Sequence, residues 1–199
     1  MSAAALPVTA ATPADWRLPD RGVVGMWCLI IAESAIFTIF VVAYVYYLGK
    51  NLSGPEPRDI LELPVFISLC LWASSFTVEL AVRALRRGEE RAFTAFWLAT
   101  LVLALVFMGG TAREWHHLIY EKGFTIRTNL FGTTYYSLVG LHAFHVIVGI
   151  VGLAVVLGLA LKGKVHREHA HRAHVLGLYW HFVDVVWVIV FTVVYVIGR

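Results

Sequence analysis

Five side chains in this sequence could do proton or redox chemistry from surroundings that should exclude them. Glu33 sits in LIIAESAIFTIF, His142 and His145 in GLHAFHVIVG, and His181 and Asp184 in YWHFVDVVWVIVF, three stretches otherwise apolar enough for lipid. An aspartate at bilayer depth costs roughly 2.5 to 3.5 kcal/mol on insertion scales, so each such group needs a partner. The i, i+3 spacing puts His142 with His145, and His181 with Asp184, on one helical face each. Imidazoles and carboxylates facing a common interior can hold or pass protons; the same groups can serve as interhelical hydrogen bonds that hold a bundle together. Glu33 has no partner within its own segment and must be protonated, paired or solvated. A bound haem or di-iron centre is not expected, because the histidine pair shares one helix and no Glu-x-x-His motif recurs.

The elements that must position these groups are membrane helices. The chain has 59% hydrophobic and 15% charged residues, a composition far from that of a soluble domain. An excess of +3 without a run of like charge gives a nucleic acid nothing to hold. Five segments, approximately 23–48, 60–82, 93–110, 130–161 and 175–197, approach or exceed the roughly 20 residues needed to cross a bilayer core. The fold class read from this pattern is all-α, a multi-pass bundle of five transmembrane helices forming one domain over 23–199. Residues 1–22 form an Ala/Pro/Thr-rich, loosely ordered tail without a cleavable signal, so the first span serves as the targeting signal.

GKNLSGPEPRD reads as a turn, RRGEER as a tight hairpin around Gly88, and REWHHLIYEKGFTIRTN and KGKVHREHAHRAH as longer polar connections. With RRGEER taken as cytoplasmic, ten Lys and Arg fall on that side and six on the other, which puts the N-terminus in the cytoplasm and the C-terminus outside. Depth follows from a rise of about 1.5 Å per residue, which places Glu33, His142, His145 and Asp184 near the midplane. Gly149 and Gly152 allow close helix approach. Glu79, near a span end, reads as an interfacial charge. HREHAHRAH resembles a metal tract but has no carboxylate of its own beyond Glu168, so a solvated loop is expected, with no metal. Cys28 and Cys70 lie in apolar segments and support neither a zinc site nor a disulfide.

Four stretches together resemble one family, subunit III of the haem-copper oxidases, which includes the cytochrome c oxidase and quinol oxidase subunits III. They are GMWCLIIAESAIFTIF with Glu33, AREW with Glu114, GLHAFHVIVG with His142 and His145, and YWHFVDVVWVIVF with His181, Asp184 and Trp187. The resemblance implies a helical bundle that holds structural phospholipids, carries no haem or copper, and packs against the catalytic subunit I beside subunit II. It makes Glu33 the family's intramembrane glutamate and His145, His181 and Asp184 interior polar residues. Nothing before Val23 corresponds to the two extra helices of seven-span members, as in the shorter bacterial forms.

The function these features lead to is that of a non-redox subunit of a respiratory terminal oxidase in a bacterial inner membrane, supporting proton uptake and stability without catalytic residues of its own. An accessory subunit of nitric oxide reductase is the alternative within the family. An autonomous membrane enzyme or transporter using the midplane residues is the alternative outside it, although no inverted repeat or pair of broken helices is visible.

Overall fold

The computed structural model describes residues 20–51 and 54–198. The expected tail therefore lies outside the described residues, apart from its last positions, which are already structured. Asp20 caps the first helix, α1 (Arg21–Tyr47), its Oδ1 accepting from the backbone N–H of Gly22 at 2.7 Å. A single turn, α2 (Pro57–Ile60), precedes α3 (Val65–Arg86), α4 (Glu90–His116), α5 (Leu130–Leu161) and α6 (Ala170–Phe191). Helix α4 runs on through a π-helical turn at His117–Glu121, and α6 through another at Thr192–Ile197. With these extensions five helices are long and apolar enough to cross a membrane.

Three boundaries differ from those read in the sequence, each for a local reason. The second span starts at Val65 rather than residue 60, because Pro64 occupies the N-cap and disfavours helix in the residue before it. The third does not stop at Gly110 but continues to Glu121, so Glu114 lies within a helix instead of after one. The small side of Gly110 faces Ile67 of α3 across a contact too tight for a methyl group, so Gly110 serves packing here rather than termination. The fifth begins at Arg167, because HREHAHRAH forms a 3-10 turn and then the first turns of α6. The hairpin between α3 and α4 does turn on Gly88, at φ +81°, where a side chain would be strained.

Helices α3 and α4 form an antiparallel pair, α4 packs on α5, and α6 closes the group by contacting both α3 and α5. Helix α1 lies across α5 and α6 and buries only Phe37 and Tyr44. The core between them is aromatic: Trp97, Trp180, Trp187, Tyr135, Tyr195, Phe93 and Phe107 are all fully buried. Two indoles fix the register of α6 on α3. The N–H of Trp180 donates to Ser74 Oγ at 2.8 Å and that of Trp187 to Ser68 Oγ at 3.0 Å, while each serine hydroxyl donates back to its own helix backbone. On the other side of α6, a Cβ at Gly149 would come within 2.6 Å of the Trp180 ring, so α5 and α6 approach at a distance only glycine permits. The outward surfaces of all five helices carry large apolar side chains such as Ile39, Phe76, Val102, Phe144 and Val185, as lipid contact requires.

Candidate functional site

The five polar groups singled out within the spans, Glu33, His142, His145, His181 and Asp184, do not form one layer. They separate into three sites with different partners, because an i, i+3 pair on a helix is about 60° apart around the axis, enough to turn its members toward different neighbours.

The first site joins α1 to α5. Glu33 Oε2 lies 3.1 Å from His145 Nε2, with Glu33 23% exposed and His145 8%. The other imidazole nitrogen, Nδ1, lies 2.8 Å from the carbonyl oxygen of Leu141. A carbonyl only accepts, so Nδ1 carries a hydrogen. The Glu33 to Nε2 contact then holds one proton, residing on the carboxyl or on the imidazole, and the pair is net neutral either way. Phe37 packs on the His145 ring at 5.0 Å, so Glu33, the Leu141 carbonyl and Phe37 hold the imidazole from three sides, while Tyr179 donates to the backbone carbonyl of His145 at 3.0 Å.

The second site is enclosed by aromatic rings. His142 is 1% exposed and stacks on Trp187 with ring centroids 4.9 Å apart, with Phe107 and Phe37 edge-on. Among the described residues neither of its ring nitrogens has a hydrogen-bond partner. His142 is thus not paired with the other polar residues as the spacing suggested. It faces the aromatic core between α4 and α6, whereas His145 faces α1.

The third site joins α6 to α3. Ser75 Oγ donates to Asp184 Oδ2, and the same oxygen is 3.2 Å from His181 Nδ1. Asp184 is buried and its Oδ1 has no hydrogen-bond partner among the described residues, while Ser75 and His181 are half-buried. Ser75 was not singled out in the sequence. A serine in an apolar helix carries no signal of its own, and only the packing of α6 shows that the SS pair at 74 and 75 serves Trp180 and Asp184 respectively.

Glu114 forms a fourth polar cluster near the opposite ends of these helices. Its Oε1 accepts from the hydroxyls of Tyr195 at 2.9 Å and Tyr135 at 3.2 Å, tying α4, α5 and the π-turn that ends α6. Neither tyrosine stood out in the sequence, because tyrosines in a membrane helix read as ordinary apolar filling.

At the end where α1, α4 and α6 begin, the histidine tract is helical rather than a loop, and two of its histidines, still exposed, are paired. His171 Nε2 donates to Asp20 Oδ1 at 2.8 Å, and His166 Nδ1 lies 2.8 Å from Glu90 Oε1. The fold brings in carboxylates from other helices that the tract itself lacks. The His171 hydrogen bond, aided by the Gly22 N–H, holds the Asp20 carboxyl below the ordinary carboxylate value. Among the described residues no three His, Cys, Asp or Glu side chains are grouped closely enough to hold a metal ion. Glu79 pairs with Arg83 at 2.7 Å on the surface of α3. An apolar groove of about 180 Å³ opens between α1 and α6, lined by Phe37, Val41, Phe182 and Ile189 together with Ser34 and Thr38.

Comparison with known proteins gives this arrangement its family. Residues 20–199 match the family described as Cytochrome c oxidase subunit III. The chain is 36% identical over 176 residues to the cytochrome c oxidase subunit 3 of Alkalihalophilus pseudofirmus, covering 87% of this chain and 85% of that one. It is 32% identical to the cytochrome bo(3) ubiquinol oxidase subunit 3 of Pseudomonas aeruginosa, over 88% of this chain and 85% of that protein. A probable quinol oxidase subunit 3 of Staphylococcus saprophyticus is 30% identical, with 87% and 88% covered. The match runs over every helix that carries Glu33, Glu114, His142, His145, His181 and Asp184, and this chain belongs to the cytochrome c oxidase subunit III family.

Proposed function

We propose that this chain is the non-redox integral-membrane subunit III of a respiratory haem-copper terminal oxidase, a complex that reduces O2 to water and moves protons across a bacterial inner membrane. Residues 23–199 act as one domain that packs directly against subunit I, with subunit II as a further neighbour, and haem and copper reside on those partners. The chain sits with its N-terminus in the cytoplasm and its C-terminus in the periplasm, as its lysine and arginine distribution favours. The relatives are named for cytochrome c and quinol oxidases, which supports an oxidase over a nitric oxide reductase.

The observation that carries the reading is the Glu33–His145 pair. It holds a single proton at bilayer depth, net neutral, with the imidazole oriented by Leu141, and is partly open to the surroundings on the α1 side. That is the design of a proton-buffering or lipid-positioning group and not of a redox centre. The groove between α1 and α6 begins one residue from Glu33, and its apolar lining suits a phospholipid acyl chain.

Deleting the chain from its host tests this support role. The remaining oxidase should keep its haems and begin turnover, then lose activity faster than the complete complex during sustained O2 consumption. An oxidase that turns over with the same lifetime without this chain would contradict it.

A further inference from the structure

The contact between α3 and α6 contains a chain of three hydrogen-bonding groups whose donors can all reverse together. With Asp184 as a carboxylate, the single hydroxyl hydrogen of Ser75 points to Asp184 Oδ2, so Ser75 Oγ must accept from the Nδ1–H of His181, leaving His181 Nε2 as a bare lone pair. With Asp184 as a carboxylic acid, every arrow turns round: Asp184 donates to Ser75, Ser75 donates to Nδ1, and Nε2 carries the hydrogen. Both states satisfy Ser75 fully and leave His181 neutral.

The two ends of this chain differ in access. Asp184 is buried, with Oδ1 unpartnered among the described residues, so its charge has little else there to stabilise it. His181 is half-buried, and Glu79 of α3 and His174 of α6 lie near enough to act on its charge. Beyond them stand Arg83, which pairs with Glu79, and Arg86 and His171, which act on His174. These groups step toward the same end of the bundle as Asp20 and Glu90. The titratable groups of α1 and α5, Glu33, His142 and His145, are engaged with one another or with aromatic rings.

We propose that buried Asp184 exchanges its proton with the membrane face beyond His174 through a relay from His181 by way of Ser75. A proton arriving from water bonds to His181 Nε2. The Nδ1–H bond breaks as its proton passes to Ser75 Oγ, and the original Ser75 O–H bond breaks as its proton passes to Asp184 Oδ2, forming the carboxyl O–H. One proton enters, one carboxylate is neutralised, and His181 ends neutral with its tautomer switched. Ser75 is the required middle link, because the hydroxyl both receives and gives a proton. The relay deepens the proton-supporting part of the proposed function and rests on that reading for its place in an oxidase.

Infrared difference spectroscopy of the intact complex in lipid, after a pH jump, tests it. The carboxyl C=O band that D184N removes identifies Asp184, and the rate at which that band responds is compared among wild type, S75A, S75T and H181Q. Removing the hydroxyl in S75A or the imidazole in H181Q should slow the response roughly a hundredfold, the scale of a lost positioned proton carrier. S75T, which keeps the hydroxyl, should respond as wild type. A band in S75A that responds at the wild-type rate, or an Asp184 band that does not respond to pH at all, would overturn the relay. Should S75A fail to assemble, the contrast between S75T and H181Q carries the same decision. Haem content and O2 consumption in the same preparations report the subunit role independently, so a failed relay and a failed oxidase assignment remain distinguishable.

Discussion

Glu33 and His145 meet at 3.1 Å across α1 and α5, and the contact is asymmetric, because the Leu141 carbonyl fixes the hydrogen on the far side of the imidazole. Among the described residues this side-chain pair ties the middle of α1 to α5, and α1 otherwise buries only Phe37 and Tyr44.

Substitution at Glu33 therefore separates hydrogen bonding from charge. E33Q keeps a donor toward Nε2 and should leave haem content and thermal stability of the complex close to wild type. E33A leaves a nearly buried imidazole nitrogen unpaired and should cost about 1–3 kcal/mol. Haem absorbance and a thermal melt of the purified complex check both; loss of haem in E33Q would contradict the placement of Glu33 away from the redox centres.

Trp187 does two things, stacking on His142 and donating to Ser68. W187F preserves an aromatic face and removes the donor, so its cost should be about 1 kcal/mol, in the range measured for interhelical hydrogen bonds in membranes. W187A also opens a cavity beside His142 and should cost roughly 3–5 kcal/mol. Denaturation in mild detergent at graded temperature would show the two steps; equal effects of W187F and W187A would mean that packing on His142 contributes nothing.

Gly149 offers a test by addition. Its hypothetical Cβ meets the Trp180 ring, which is held by its hydrogen bond to Ser74 and cannot swing away without losing it. G149A should destabilise by about 1–3 kcal/mol through overpacking. The double variant G149A/S74A should be less than additive, since freeing the indole lets it yield. Strict additivity in thermal melts would contradict this coupling.

Asp20 is held below its ordinary value of 3.8 by His171 and by the Gly22 N–H. A carboxylate whose value is depressed in the folded state contributes stability that is present above the unfolded value and is lost as pH falls through the folded one. The stability difference between wild type and D20N should accordingly be full above pH 3.8 and shrink below it. Melting curves over an acid series measure this; a difference that grows with acidification would reverse the sign and refute the pairing.

The bundle was legible in the sequence because the bilayer imposes one rule on every span, so apolar length alone found five helices. Their ends were less legible. REWHHLIYE and HREHAHRAH carry enough polar residues to read as connections, yet Glu114, His166 and His171 find tertiary partners that let the helices continue. A rise per residue assigned Glu33, His142, His145 and Asp184 a depth within their spans, but depth says nothing of azimuth. Whether His142 met a carboxylate or a tryptophan depended on how α5 rotates against α4 and α6, which is set by Gly149 against Trp180 and by the two indole to serine bonds. Ser75, Tyr135 and Tyr195 remained invisible because their types are common in membrane helices and acquire meaning only from the side chain opposite.

The measurement that bears most directly on the central claim is gentle detergent extraction of the tagged chain, followed by a reduced-minus-oxidised visible spectrum and mass spectrometry of what accompanies it. A subunit III should emerge with haem and a large copper-binding catalytic subunit in stoichiometric amount. A chain that emerges alone, or with the haem subunit of a nitric oxide reductase, would contradict the assignment to a terminal oxidase.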